Sequence, residues 1–578
     1  MQNNVRSQIT AAQLTSSLNI NDQVENQWFT PHRLAAKAQH DLLLSINVAE
    51  TIMNCNHIGV EVNNGRIDYF PAVKFRLASV DNVLVPLDRG LLRDPDGQSY
   101  WDISLSPGRV WSEPDDGNWS RAALPFQLFN IFENDTHHGV ATFLYNHEET
   151  TSIYYQITAE TKAFLAPAGL QAWGYLTART EPLESSLAAD ALQSIQVEIS
   201  DQHPLNPLQH LYSEEIKAHF EDMGQGFGSD STLLYGLVIN DEIFATPCRT
   251  SAGDYPYPRA MKFGIWSATK TAFATVACLR LAKSFGVDPR MALVRDLMPE
   301  AENIPAWQNI TIGDCLNMAT GIGTAAVKAE PLGIFGDYLL EIEHTKGIDR
   351  GFESYHHYHD WFLAPSQHEK NVAAFACPSY SWGPGDVARY RDQDLYIAGA
   401  AMDAWLKLQH GPDARIWDMV RDEVYSPARI HHAIKFHTIE TDLQHEVPLS
   451  DAGLLLTMDN IAPLGRLFHN HGRIGDEQIL DPGILDEIFN PRKRKGLPTG
   501  THTTDGEIYY HGGTWHLPYI ANSNETFWIP VMRGYGGQLI YILPNGVTAF
   551  RFGFDSHETE ERYDMLKIVR LADAIQPF

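Results

Sequence analysis

The distribution of turn-forming residues divides this chain into two parts of different character. Over the first 180 or so residues, short runs alternate apolar with polar side chains, as in residues 57–64, 138–146 and 151–158. Clusters rich in Gly, Pro, Asn and Asp separate these runs, and many short strands of this kind are typical of a β-sandwich or barrel-like domain. The sequence therefore predicts a β-rich N-terminal domain over residues 1–195, and it indicates no role for that domain.

A polar stretch at residues 177–207 is the expected domain boundary, and beyond it the pattern becomes α+β. Apolar residues repeat every three to four positions in some segments, which predicts helices, and alternate in others, which predicts strands. The second domain is expected over residues 205–578. Its predicted elements are a hairpin at 233–248 with its turn at Asn240–Asp241, helices at 267–286, 392–408 and 557–575, and strands at 536–546 and 547–555.

Composition restricts the partners of this 578-residue chain. The 72 acidic residues outnumber the 43 Lys and Arg, and the net charge of -29 repels nucleic acid and anionic membrane surfaces. No apolar run is long enough to predict a transmembrane helix. The five cysteines are scattered without a C-x-x-C pair, which argues against a zinc ribbon and a disulfide framework. The polar residues 1–17 lack a signal-peptide core, which predicts a cytoplasmic protein, or a periplasmic one if a signal was removed.

One S-x-x-K motif, Ser267-Ala268-Thr269-Lys270, follows the apolar segment 261–266. On a helix this spacing places the hydroxyl and the ammonium on one face, one turn apart. A serine hydroxyl becomes a useful nucleophile when a neighbour takes its proton. A capping serine followed by a solvated lysine would have the same letters, so the motif alone leaves both interpretations open.

The surrounding sequence resembles the serine β-lactamase-like family, which includes class C β-lactamases, D,D-peptidases, esterases and 6-aminohexanoate-dimer hydrolases. Five segments match family segments in the same order, and together they cover about residues 205–578. These segments are YGLVIND with FGIWSATKTAFATVACLRL, LVRDLMPE, ITIGDCLNMATGI, SWGPGDVARYRDQDLYIAGAAM and DAGLLLTMDNIAPLGRLFHNHGRIGDEQIL. The resemblance implies an α+β fold, the β-lactamase/transpeptidase-like α/β sandwich, with an antiparallel sheet flanked by helices.

The resemblance also implies roles for individual residues. Ser267 would be the acylated nucleophile, Lys270 its partner in proton transfer, and Tyr390 the phenol that relays protons to the leaving group. Asp392 stands where the family usually has Asn and would contribute to substrate binding. A carboxylate at this position would hold Lys270 charged, which argues against β-lactamase activity more than against hydrolysis in general.

Two segments compete for the family's third motif, whose backbone N–H completes the oxyanion hole. His511-Gly512-Gly513 has the better letters, whereas residues 532–538 run directly into the terminal strands. We prefer the second, with the Tyr535 N–H in the oxyanion hole and Met532 in place of the usual Lys or His. Substrate contacts would then come from a set of residues around this motif: Arg533, Gly534, Gly536 and His511.

The sequence thus predicts a serine hydrolase that cleaves a small-molecule ester or amide through an acyl-enzyme. The alternatives are a D-amino-acid peptidase or β-lactamase, and a non-catalytic binding or sensor protein of the same fold. No metal or organic cofactor is expected. The His-rich segment 354–361 could bind a metal, but a pocket rim or exposed loop is the preferred interpretation. The acyl and leaving groups stay open, and so does assembly into a homo-oligomer.

Overall fold

The structure is a computed structural model. It describes residues 8–15, 20–226, 231–323, 334, 356–442, 445–554 and 564–578. Within these ranges most strands belong to two large sheets, one from each half of the chain, and the others form small sheets of two or three strands, among them one of Lys262–Gly264, Leu454–Thr457 and Ile434–Lys435. Most of the helices belong to the second half. The predicted α+β architecture, an antiparallel sheet with helices after a β-rich first domain, is confirmed.

The first sheet joins 11 strands of the described N-terminal part in the order β15-β1-β7-β8-β10-β11-β12-β13-β14-β3, with β9 paired to β11. Its pairs are antiparallel. The strands of the first half are β1 Leu43–Val48, β2 Thr51–Ile52, β3 Asn54–Cys55, β4 Glu61–Val62, β5 Gly65–Arg66, β6 Tyr69–Phe70, β7 Val73–Val80, β8 Val83–Pro86, β9 Asp102–Leu105, β10 Gly108–Trp111, β11 Ser120–Phe129, β12 His137–Tyr145, β13 Ile153–Glu160, β14 Ala172–Leu176 and β15 Ala178–Pro182.

The central strands β11, β12 and β13 are buried along their whole length. Successive side chains of a strand point to opposite faces, so this pattern means that both faces of the sheet are covered. One cover is the second half of the chain: Gln127 Nε2 donates to the Ala260 carbonyl at 3.1 Å, and Tyr255 OH donates to the Gly139 carbonyl at 2.7 Å. The two halves therefore share a buried interface.

The second sheet has nine strands within the described residues, in the order β16-β18-β17-β31-β30-β29-β28-β27-β26. Only β16 pairs in parallel among the pairs of this sheet that the structure describes. The strands of the second half are β16 Leu205–Pro207, β17 Thr232–Ile239, β18 Glu242–Ala245, β19 Arg249–Thr250, β20 Gly253–Asp254, β21 Lys262–Gly264, β22 Ile434–Lys435, β23 Leu454–Thr457, β24 Arg473–Ile474, β25 Glu477–Gln478, β26 Leu497–Thr503, β27 Gly506–His511, β28 Thr514–Ile520, β29 Thr526–Gly534, β30 Gln538–Ile542 and β31 Thr548–Gly553.

Two helices of the second half, Met458–His469 and Lys567–Ile575, pack against this sheet, and β30 and β31 are buried along their whole length. All five cysteines are buried, and none of them forms a disulfide. The described helices are α1 Ala11–Thr15, α2 Ser185–Asp201, α3 Lys217–Gly226, α4 Val276–Phe285, α5 Val294–Leu297, α6 Ile312–Leu316, α7 His356–Leu363, α8 Gln367–Phe375, α9 Asp392–His410, α10 Ile416–Val420, α11 Met458–His469, α12 Pro482–Phe489 and α13 Lys567–Ile575. Within the described ranges, none of them has the length and apolar character needed to cross a membrane.

The predicted hairpin is confirmed, with β17 and β18 joined by Asn240 and Asp241. Both turn residues have positive φ, 50° and 64°, as a two-residue type I′ turn requires. The predicted polar boundary contains helix α2, which packs on β7 and β8 of the first sheet. The first sheet ends at Pro182 and the second begins at Leu205.

The segment predicted as one helix over residues 267–286 differs from that expectation. It begins as a 3₁₀ turn at Trp266–Ala268, continues as a π-helical turn at Lys270–Thr275 and becomes regular only in α4. Gly286 ends it with φ 65°, as predicted. The predicted helix at 557–575 is seen as α13, and the residues 557–563 of that prediction lie outside the described ranges.

Candidate active site

Ser267 lies on a tight turn directly after β21. The preceding residue, Trp266, has φ 46°, a conformation that residues other than glycine rarely adopt. The Trp266 N–H donates to Asn134 Oδ1 at 2.6 Å, which fixes the turn. Trp266 and Ala268 are buried, whereas Ser267 is half-buried. The strained turn therefore presents the serine hydroxyl at an accessible position, as nucleophile turns between strand and helix do.

The Lys270 ammonium lies beneath this hydroxyl. Its Nζ donates to Ser267 Oγ at 2.7 Å, to Asp392 Oδ1 at 2.6 Å and to the Asp451 carbonyl at 2.8 Å. The side chain is 1% exposed. The structure therefore brings the hydroxyl and the ammonium together as the i, i+3 spacing predicts, and all three ammonium protons have acceptors.

The charge of Lys270 follows from its neighbours. Burial lowers the pKa of Lys270, but the Asp392 carboxylate, together with Tyr390 and Asp451, outweighs burial and brings the pKa above its ordinary value. Lys270 is therefore an ammonium at neutral pH. In this state it donates hydrogen bonds and positive charge, and it does not accept the serine proton.

Tyr390 is buried two residues before α9. Lys270 Nζ lies 4.9 Å from the centroid of its ring, and the ring stacks on Trp515 with centroids 5.9 Å apart. Burial raises the pKa of Tyr390, whereas the Lys270 charge and hydrogen bonds with Ser267 and Lys270 lower it; the net pKa lies above the ordinary value. Tyr390, Lys270 and Ser267 thus form one hydrogen-bonded group.

Asp392 is the first residue of α9 and lies on the far side of Lys270. Its Oδ1 accepts from Lys270, and its Oδ2 accepts from Tyr358 OH at 2.9 Å. Both oxygens accept a hydrogen bond within the protein, and the substrate contact expected from sequence stays a prediction. Tyr358 was missed by sequence reasoning because it lies in the His-rich segment, where the histidines drew attention to metal binding.

The two candidates for the third motif lie at different ends of the nucleophile segment. The Gly513 carbonyl accepts from Thr271 Oγ1 at 2.6 Å, and the Gly512 carbonyl accepts from Thr275 Oγ1 at 2.6 Å, so these glycines contact the π-helical turn. His511 bonds Glu487 at 3.2 Å. This motif therefore lies one to two turns beyond Ser267.

Residues 532–538, by contrast, lie beside the nucleophile turn itself. A Cβ on Gly534 would come within 2.1 Å of the Ile265 carbonyl oxygen, so only glycine fits there. The next residue, Tyr535, begins the turn from β29 to β30, and its ring centroid is 5.4 Å from that of Trp266. Gly534 pairs with Gln538 in the β29–β30 ladder. Position thus favours this segment over residues 511–513 as the third motif.

The side chains next to Gly534 define the chemistry of that strand. Met532 is fully buried and has no titratable group. The Arg533 guanidinium is half-buried and lies 5.2 Å from the centroid of the Trp515 ring. Because Trp515 also stacks on Tyr390, Arg533 is on the Tyr390 side of the site. Among the described residues, Arg533 is therefore the only cationic side chain that β29 contributes to the site.

The first domain contributes residues that sequence reasoning missed. Asn134 accepts from the Trp266 N–H, and the Lys162 carbonyl accepts from Trp266 Nε1 at 3.0 Å. The Phe164 ring makes edge contacts with the rings of Trp266, at 6.3 Å, and Tyr535, at 5.9 Å. No sequence signal points to these residues, because they carry no motif and precede Ser267 by more than 100 positions.

Groups of metal-ligating side chains can be sought in the part of the chain that the structure describes. Within that part, no three His, Cys, Asp or Glu side chains are grouped so as to hold a metal ion. The His-rich segment begins helix α7 at His356. The side chains of His356, His357 and His359 lie outside the described residues.

Comparison with known proteins yields similarity to solved structures only, since no family model and no curated protein matches the chain. One is a family VIII carboxylesterase, with 15% identity, a TM-score of 0.40, and coverage of 65% of this chain and 98% of that chain. A penicillin-binding protein homolog from Caulobacter crescentus has 14% identity, a TM-score of 0.39 and coverage of 63% and 97%. A D-stereospecific amidohydrolase from a Streptomyces species has 14% identity, a TM-score of 0.39 and coverage of 62% and 97%.

The chain resembles serine β-lactamase-like hydrolases. Similarity at TM-scores near 0.4 carries no argument about activity, so the case for function rests on the arrangement of the site itself. In that arrangement Ser267 lies on a strained turn, Lys270 and Tyr390 are at its hydroxyl, and Gly534 at the end of β29 lies against the turn.

Proposed function

We propose that the protein is a serine hydrolase that cleaves an ester or amide bond through an acyl-enzyme on Ser267. The observation that carries the proposal is the 2.7 Å hydrogen bond between Ser267 Oγ and Lys270 Nζ on a half-buried, strained turn. Tyr390 completes the group. The five ordered segments that resemble the serine β-lactamase-like family support it independently.

Because Lys270 is already protonated, Tyr390 is the group that accepts the proton of the Ser267 hydroxyl. The reaction uses the form of the protein in which Tyr390 is a phenolate, a minor form at neutral pH because the pKa of Tyr390 lies above its ordinary value. As Ser267 Oγ bonds to the substrate carbonyl carbon, its proton passes to this phenolate oxygen, and the carbonyl electron pair moves onto the carbonyl oxygen. The Lys270 ammonium stabilises the phenolate.

The oxyanion electron pair then re-forms the carbonyl, the bond between carbon and the leaving group breaks, and Tyr390 returns the proton to the leaving group. Water next bonds to the acyl carbon and gives a proton to Tyr390, and as the bond to Ser267 Oγ breaks, Tyr390 returns that proton to the serine.

The developing oxyanion needs hydrogen-bond donors already in place. In the proposed arrangement these are the N–H groups of Ser267 and Tyr535. The close approach of Gly534 to the Ile265 carbonyl supports this assignment, because it keeps the start of the β29–β30 turn next to the nucleophile turn.

A binding or sensor protein of the same fold is the second candidate. Two observations favour it: Asp392 holds Lys270 protonated, and Met532 leaves the third motif without its usual Lys or His. Such a protein would be acylated on Ser267 and would release the acyl group slowly. A D-amino-acid peptidase or β-lactamase would have to bind a substrate carboxylate through Arg533.

The test is labelling of the intact protein with a fluorophosphonate, together with turnover of p-nitrophenyl acetate and butyrate. We expect one adduct per chain and measurable hydrolysis in the wild type, with both lost in Ser267→Ala, because the nucleophile is then absent. Stoichiometric labelling without turnover would favour the sensor protein.

The matched control is Ser284→Ala, which removes an exposed serine hydroxyl from α4, the helix that continues the nucleophile segment. It should label and turn over like the wild type. Labelling or hydrolysis that survives in Ser267→Ala would contradict the proposed nucleophile.

A further inference from the structure

A short segment of the first domain, residues 161–166, lies against the nucleophile turn. The Lys162 carbonyl accepts from Trp266 Nε1. Gly536 lies so close to Lys162 that a Cβ on the glycine would come within 2.0 Å of the lysine Cβ. The segment thus touches two turns of the candidate site, the one that carries Ser267 and the one that carries Tyr535.

Phe164 of this segment is the centre of an aromatic cluster. Its ring lies edge-on to three others, with centroids 6.3 Å from Trp266, 5.9 Å from Tyr535 and 5.3 Å from Phe362. Trp266 immediately precedes Ser267 in sequence. We call the rings of Phe164, Trp266, Phe362 and Tyr535 the aromatic cluster.

Glu133 fixes the backbone that carries Phe164. Its carboxylate accepts from the N–H groups of Phe164, Leu165 and Ala166 at 2.7, 2.6 and 2.9 Å. The glutamate is 2% exposed, and burial raises the pKa of its carboxyl to about 7. Glu133 therefore holds the backbone that carries the Phe164 ring.

The aromatic cluster keeps part of its surface accessible. Trp266 and Phe362 are buried, whereas Phe164 and Tyr535 are half-buried, as Ser267 is. Part of the surface of Phe164 and Tyr535 is thus accessible, in a cluster that includes Trp266, the residue before Ser267. Apolar ligand groups gain binding free energy in proportion to the area that such a surface removes from water.

The aromatic cluster adjoins the two proposed oxyanion donors, since Trp266 precedes Ser267 in sequence and Tyr535 is itself a member of the cluster. A leaving group departs towards the group that returns its proton, here Tyr390 with Lys270, and Tyr390 stacks on Trp515. Phe164 makes ring contacts with Trp266, Tyr535 and Phe362.

We propose that Phe164 of the first domain is a specificity residue, and that with the aromatic cluster it binds the apolar acyl chain of the substrate. The substrate class is esters or amides of medium-chain aliphatic or aromatic carboxylic acids. This inference rests on the proposed serine hydrolase activity. The first domain is accordingly part of the substrate-binding site of the enzyme.

The test compares kcat/KM for p-nitrophenyl hexanoate with that for p-nitrophenyl acetate in the full-length protein. The wild type should prefer hexanoate. In Phe164→Ala the hexanoate-to-acetate ratio should fall about tenfold, the loss expected when part of a four-methylene extension loses its apolar contact. Phe164→Leu, which keeps an apolar side chain, should retain more of the preference than Phe164→Ala.

The matched control is Phe285→Ala, which removes another half-buried phenyl ring that packs edge-on against a tryptophan, Trp405, outside the site. It should leave the ratio within about twofold, well below the effect of losing a substrate contact. A ratio that stays at the wild-type value or rises in Phe164→Ala would overturn the inference. Absence of Ser267-dependent turnover in the wild type would instead refute the proposed function, so the two failures are distinguishable.

Discussion

One side chain, the carboxylate of Asp392, sets the protonation state of the candidate site. The serine β-lactamase-like family usually has Asn at this position, and an amide would bond Lys270 without adding negative charge. Asp392 Oδ1 lies 2.6 Å from Lys270 Nζ, and its charge raises the pKa of both Lys270 and Tyr390. The presence of Asp392 in place of the usual Asn is thus the reason why Lys270 stays charged.

Asp392→Asn should move the pH dependence of hydrolysis to lower pH. The proton acceptor works when deprotonated, so activity rises as the pH passes its pKa. Removing the Asp392 charge lowers the pKa of Tyr390 and of Lys270, and the rising limb of kcat/KM against pH should shift down by about one unit or more. The measurement is the pH profile of p-nitrophenyl acetate hydrolysis.

Asp403→Asn is the control, since it removes the same charge from the same helix, where Asp403 pairs with Lys407 at 2.7 Å. Its pH profile should match that of the wild type. A profile that does not move in Asp392→Asn, or moves upward, would contradict the assignment of the proton to Tyr390.

At the scale of elements, the nucleophile turn depends on a residue from another domain. Trp266 adopts a left-handed backbone conformation, and its buried N–H is satisfied by Asn134 Oδ1. A buried N–H without a partner costs about 1–3 kcal/mol. The turn that carries Ser267 is therefore stabilised from outside its own segment.

Asn134→Ala should lower kcat about tenfold with a smaller change in KM, because the Ser267 hydroxyl loses its fixed position while the substrate surface remains. Asn134→Asp, which keeps the acceptor oxygen, should recover part of kcat. Steady-state kinetics with p-nitrophenyl acetate measure both values.

Asn56→Ala is the matched control for this change. Asn56 also bridges backbone groups of the first domain, at Gly169 and Gln171, but it is exposed. It should leave kcat unchanged. An Asn134→Ala protein with wild-type kcat would show that the turn holds its geometry without the first domain.

The irregular start of the nucleophile helix was not predictable from its own sequence. The periodicity of residues 267–286 indicates a continuous helix, whereas the structure has a π-helical turn at Lys270–Thr275. Thr275 donates to the Gly512 carbonyl, and Gly513 lies against the Lys270 carbonyl. The partners of the irregular turn are thus more than 200 residues away in sequence, beyond any local pattern.

At the scale of the whole molecule, the strand that leads to the nucleophile is tied to the first sheet. Lys262 of β21 is 1% exposed. Its Nζ donates to the carbonyls of Arg89 and Leu105, at 2.6 and 3.1 Å, and to Ser104 Oγ at 2.6 Å. All three hydrogen-bond acceptors of Lys262 belong to the first domain. Lys262 therefore couples the stability of the two halves.

Lys262→Met should lower the free energy of unfolding by about 3 kcal/mol, because it removes three hydrogen bonds of a buried amine, even though the Arg89 carbonyl keeps its bond from Ser104 Oγ. Urea unfolding followed by tryptophan fluorescence measures this loss. Lys283→Met, which changes an exposed lysine of α4, should have little effect. Equal stability of Lys262→Met and wild type would mean that the interface tolerates the loss of these bonds.

The sequence by itself determined the local features of this protein. Alternation and turn residues predicted the β-rich first half and the Asn240–Asp241 hairpin, and the i, i+3 spacing brought Ser267 and Lys270 together. The ordered motifs also predicted Tyr390, which the structure places at this pair. These features depend on contacts within a few residues or on motifs with recognisable letters.

Only the tertiary structure decided what surrounds the serine. It assigned both oxygens of Asp392 to Lys270 and Tyr358, and it placed residues 532–538 beside the nucleophile turn. It also brought Asn134 and Phe164 from the first domain to Trp266. The physical reason is that burial and hydrogen bonding join groups from distant parts of the chain, and such pairings leave no periodic or spaced signal in the sequence.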